Sequence, residues 1–100
     1  MVDVVSTMSF IPDLKDFLYE NRRIYTVRKF DMQRAMVHIE GVGMCTREPL
    51  GKIESFEELE TYVGMSGFGT LSAWKRKICQ FIPKGESMYL YLVKVVQNGQ

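Results

Sequence analysis

The densest chemistry in the chain lies in one short stretch, Asn21-Arg22-Arg23-Ile24-Tyr25-Thr26-Val27-Arg28-Lys29. Guanidinium groups grip phosphate through paired hydrogen bonds and stack on bases. A threonine hydroxyl both donates and accepts, and a tyrosine ring offers a π-face. Read as a strand, Arg23, Tyr25, Val27 and Lys29 point one way and Ile24, Thr26, Arg28 and Phe30 the other, so cations project from both faces. Arg22, Arg23, Tyr25, Thr26, Arg28 and Lys29 are therefore candidate contacts for single-stranded RNA. The same composition equally suits an edge strand kept soluble by charge, and local chemistry leaves both readings open.

The remaining chemical groups are sparse. Net charge is only +1, but it is unevenly spread. A second basic run, Lys75-Arg76-Lys77, stands against acids gathered at Glu54, Glu57, Glu58 and Glu60, and such polarity lets one face attract a polyanion. The glycines of Gly64-Met65-Ser66-Gly67-Phe68-Gly69 fit neither a Walker loop nor a dinucleotide fingerprint, and read as a structural loop. The single histidine, His38, lies near no cysteine or acid at ligand or triad spacing. Cys45 and Cys79 form no CxxC pair. Neither a metal nor another cofactor is expected, and two cysteines make no disulfide framework. They read as reduced thiols of a cytoplasmic protein. The first residues carry no basic, apolar leader pattern, and no run reaches the roughly 20 apolar residues of a membrane span. The seven methionines are dispersed and read as packing.

These groups need elements to carry them, and the pattern supplies an α+β order within one domain spanning residues 1–100. Residues 2–9 suit a first strand. Pro12 opens a helix through Leu14, Phe17 and Leu18 that ends near Asn21, a residue able to adopt the left-handed cap. The basic strand follows. Residues 35–45 read as a strand interrupted at Gly41 and Gly43 by a bulge or a sharp bend, Glu48-Pro49 breaks the pairing, and Gly51-Lys52-Ile53 resumes it. Ser55-Phe56-Glu57-Glu58 is a capping box that starts a second helix. Thr70 caps a third, whose apolar stripe is Leu71, Trp74, Ile78, Phe81 and Ile82. The last strand, Met88 to Val96, is apolar on both faces and hence central. Trp74 is expected in the core.

On this element order the chain resembles the ASCH family of PUA-like barrels, whose signature G-x-K-x-x-T-x-R closes the first helix and runs into a strand. Asn21, Arg23, Thr26 and Arg28 stand at those four positions. Thr26 and Arg28 match, Arg23 replaces the lysine, and Asn21 the glycine. Gly67-Phe68, Trp74 and the strand through Tyr89–Val95 extend the likeness over most of the chain. The resemblance implies a barrel of about five to six strands flanked by three helices, with RNA in a cleft lined by this motif. Some members of the family are ribonucleases or amidohydrolases acting on acetylated cytidine. The latter need the motif lysine, a threonine and a carboxylate shortly before the last helix. Arginine at position 23 cannot give up its proton to act as base or nucleophile, and residues 64–69 contain no acid. The leading expectation is a non-enzymatic RNA-binding module. An RNA-processing enzyme at the same cleft, with Lys29, Tyr25 or His38 as acid or base, is the second reading. A protein-interaction domain is the third.

Overall fold

A computed structural model describes residues 6–96. In chain order the elements are β1 (Ser6–Thr7), α1 (Pro12–Asn21), β2 (Arg23–Arg28), β3 (Ala35–Ile39), β4 (Gly43–Ile53), a 3₁₀ helix (Phe56–Met65), α2 (Leu71–Phe81) and β5 (Met88–Val95). The expected α+β class is present. One sheet runs in the order β1-β3-β4-β5-β2, with β1 parallel to β3 and every other pair antiparallel. The expected barrel closure is not seen among the described residues: the sheet stays open, with β1 and β2 as its two edges. Of the first strand, only Ser6–Thr7 pairs, and residues 1–5 lie outside the described residues.

Pro12 occupies the first turn of α1, where a missing N–H costs nothing. The left-handed residue that ends this helix is Arg22 (φ 70°), one position beyond the expected Asn21. The Arg22 N–H reaches the Leu18 carbonyl at 2.8 Å. Asn21 instead spends its side-chain amide on the Phe17 carbonyl, 2.9 Å away. The Leu18 carbonyl, one of the four left over at the helix end, is thus satisfied by the cap, and the Asn21 amide adds a second donor to the Phe17 carbonyl.

Alternation along the strands builds a core on each side of the sheet. Ile24, Val37, Ile39, Cys45 and Val93 pack on one side with Leu18 of α1. Leu90 and Ile53, with the half-buried Tyr25 and Val27, pack on the other with Leu59, Trp74 and Ile78. The register explains the sorting, since Ile24 lies opposite Val93 and Val27 opposite Leu90. As anticipated, β5 is central, with β4 and β2 as neighbours.

The structure refines two expectations about the middle of the chain. Gly41 (φ 89°) lies in a reverse turn, closed by the Val42 N–H on the Ile39 carbonyl at 2.9 Å, so of bulge and bend it is the bend that occurs, and 35–45 is a hairpin rather than one strand. Positive φ is what glycine supplies there. The interruption expected at Glu48-Pro49 falls one residue later, and Gly51-Lys52-Ile53 resumes the pairing as anticipated. β4 continues to Ile53, and the irregularity falls between Pro49 and Gly51, leaving Leu50 as the extra residue. Pro49 lies beyond Arg47, the last β4 residue that β3 covers, where a missing donor is easily tolerated.

The helical layer begins with Glu58, whose carboxylate accepts the N–H groups of Glu54 (2.9 Å) and Ser55 (3.0 Å). That is the reach-back half of the expected capping box; the Glu58 N–H goes to the Ser55 carbonyl at 3.2 Å. The segment winds as a 3₁₀ helix and ends at the buried Ser66, whose hydroxyl donates to Val63 O (2.7 Å) and accepts from the Phe68 N–H (3.1 Å). Thr70 caps α2 as expected, accepting from Ala73 N at 3.1 Å. Trp74 is buried, but Phe81 leaves the expected apolar stripe and is exposed.

Candidate functional site

Along the unpaired side of β2 runs a groove of about 550 Å³. Its walls come from the β1–α1 segment, from β2 and the loop after it, and from α2. Arg28, Lys29 and Lys77 line it, and among the described residues no acid does. Between these cations the surface is apolar and rich in aromatic rings, including Phe10, Phe30, Phe68 and Phe81.

Arg28 ties the two sides of the opening together. Its Nε donates to Thr26 Oγ1 (3.2 Å), its Nη2 donates to the Ser9 carbonyl (3.0 Å), and its guanidinium lies 4.7 Å from the Phe10 ring centroid. A cation over an aromatic face is held by the ring quadrupole. No carboxylate pairs with Arg28 among the described residues, where the ion pairs are Arg34–Glu48 and Lys94–Glu48. Burial first, and then the charge of Arg47, lower the Arg28 pKa, with Tyr91 acting in the opposite sense. A half-buried guanidinium without a counter-charge gains from an incoming anion.

The loop bearing Lys29 and Phe30 is pinned from beneath. The Tyr91 hydroxyl donates to the Phe30 carbonyl at 2.6 Å and accepts the Met32 N–H at 2.5 Å. Buried Arg47 donates through Nε (3.0 Å) and Nη2 (2.8 Å) to the Gln33 carbonyl. Backbone groups that would otherwise be left unsatisfied in the turn are thus bound by side chains of β4 and β5.

Of the residues singled out from the sequence, the structure brings Thr26, Arg28 and Lys29 together in this groove. Tyr25 faces the opposite side of the sheet, half-buried, its ring centroid 4.7 Å from that of Tyr62 at a 59° tilt. Arg22 and Arg23 line a shallow depression with Thr46 and Lys94. Five residues of strand, roughly 17 Å at the usual rise, separate Arg23 from Arg28. The motif therefore supplies two cationic patches rather than one. Lys77 and Phe81 were not among the candidate contacts, although Lys77 belongs to the second basic run. Arg47 and Tyr91 left no local signal, because they act on a loop 14 and 59 to 61 residues away.

No protein-family model, curated protein or solved structure matches the chain. Among the described residues, no three His, Cys, Asp or Glu side chains gather as a metal site, and no helix is long and apolar enough to cross a membrane.

Proposed function

We propose that the chain is a non-enzymatic RNA-binding module of the PUA-like, ASCH type, with its RNA or nucleotide in the groove beside β2. The observation that carries this reading is the groove's lining among the described residues: three cations, no acid, the hydroxyl residues Thr7, Ser9 and Thr26, and several aromatic rings in one concavity. Phosphate is drawn to Arg28, which has no carboxylate partner among the described residues, and to Lys29, and bases find π-faces on the walls. In this reading the open seam between β1 and β2 corresponds to a barrel not fully zipped, with the cleft at its gap.

A hydrolytic role draws less support. Arg23, which stands where the amidohydrolases carry lysine, lines the other depression and is not part of the groove. Thr26 Oγ1 already accepts from Arg28, and no lining carboxylate is at hand to move a proton.

The test is RNA binding at low and moderate salt by wild type, Arg28→Met, Lys29→Met and the Arg22→Ala/Arg23→Ala double variant. The groove variants are expected to lose affinity and to flatten the salt dependence, by about one unit of log–log slope for each lost phosphate contact. The double variant at the other depression should stay near wild type. Wild type that binds neither single-stranded nor structured RNA refutes the proposal. Loss confined to the double variant moves the site to the other end of β2.

A further inference from the structure

Two phenylalanines stand exposed on the walls of the groove, on elements far apart in sequence. Phe30, in the loop after β2, is 63% exposed, and Phe81, the last residue of α2, is 62% exposed. Both line the groove. Each carries its own lysine over the ring: Lys29 Nζ lies 5.3 Å from the Phe30 centroid and Lys77 Nζ 5.7 Å from that of Phe81. Every other phenylalanine and the tryptophan among the described residues are at least half-buried. An exposed ring beside a cation offers an apolar face on which a base can stack and a positive charge for the phosphate next to it.

We infer that Phe30–Lys29 and Phe81–Lys77 form a clamp at the groove's rim for an unpaired nucleotide base. The rings stack on the base and the two ammonium groups meet its flanking phosphates. This rests on the reading of the groove as an RNA-binding cleft and narrows its ligand to single-stranded RNA. A base within a duplex already has both faces covered by its neighbours and offers none to a phenylalanine, whereas a splayed base offers its faces freely. The charges suit the same ligand, since the groove sets three cations and no carboxylate around the rings. The clamp is anchored on both sides: Tyr91 holds the Phe30 carbonyl, and Phe81 sits one residue before the buried Ile82.

The experiment uses a short RNA carrying 2-aminopurine, whose fluorescence is quenched on stacking, as a single strand and annealed to its complement. It is titrated with wild type, Phe30→Leu, Phe81→Leu, the corresponding tyrosine variants and Lys77→Met. Both phenylalanines are exposed, so melting temperatures should barely change. Wild type should prefer the single strand at least tenfold and quench its fluorescence. Each leucine variant should weaken binding about 5- to 150-fold, the range for loss of one base-stacking contact, and tyrosine should restore it. Lys77→Met should lower the salt slope. Single-strand and duplex affinities that are equal, or leucine variants that bind and quench like wild type, overturn the clamp but leave the groove as an RNA site. Failure of wild type to bind either RNA overturns both.

Discussion

Replacing Tyr91 by phenylalanine removes one oxygen from the middle of the sheet and nothing else. The ring is fully buried and its packing is retained, so the change isolates two hydrogen bonds: Oη to the Phe30 carbonyl and the Met32 N–H to Oη. Each is worth about 1 kcal/mol net. The loss is therefore about 2 kcal/mol, and more if water cannot reach the two freed backbone groups. For a chain of this size that lowers the melting temperature by roughly 8–16 °C. Urea unfolding of both proteins should show a lower midpoint with an unchanged slope. Hydrogen exchange should accelerate at Met32 before it does at β5, because the loop loses its anchor while the strand does not. A loss below about 0.5 kcal/mol, or a Met32 amide as protected as before, would refute the claim that Tyr91 pins this loop. On the proposed function RNA affinity should fall too, since Lys29 and Phe30 lie on the segment released.

Trp74→Ala should cost about 3–5 kcal/mol, read by urea denaturation, because the indole is buried between the 3₁₀ helix and the sheet; equal stability would dissolve that core. Gly67→Ala combines a backbone angle of φ 86° with a Cβ placed 2.5 Å from Leu14 Cδ2. The angle alone costs about 1–2 kcal/mol. A Leu14→Ala background should relieve the overlap but not the angle, so a double-mutant cycle should show favourable coupling. Of the two thiols, Cys79 is exposed and Cys45 buried, so a thiol reagent should label Cys79 in the native protein and reach Cys45 only on unfolding. Burial pushes the Cys45 thiol up from its ordinary 9.0, so the folded chain keeps a proton that the unfolded chain releases. Its contribution is complete below about pH 9 and is lost as pH rises towards the folded value. Cys45→Ala should remove that part of an alkaline stability profile.

The elements with a strong period were legible in the sequence. Leu14, Phe17 and Leu18 marked α1, and the two-sided apolarity of residues 88–96 marked a central strand. What escaped was information that is not local. A glycine that permits a bulge also permits a turn, so Gly41 and Gly43 could not say which, and the bulge itself fell at Leu50. Phe81 fits the α2 stripe by spacing, yet it is the helix's last residue and lies outside the core that takes Trp74 and Ile78. The candidate site divided for a similar reason. Thr26 and Arg28 share a face and a strand end, which alternation does predict. Tyr25 takes the other parity and Arg23 the other end, and only the packing of α1 and α2 decides which of those positions borders a cavity.

The extra residue at Leu50 has a consequence for how the molecule comes apart. Before it, β4 gives Cys45 to the core beneath α1; after it, the strand gives Ile53 to the core beneath α2. β5 makes the same division through Val93 and Leu90. Two adjacent strands thus belong to both cores, and neither core can melt without pulling out chain that the other needs. The two hydrophobic clusters should therefore behave as a single cooperative unit, with probes placed in each reporting the same unfolding transition.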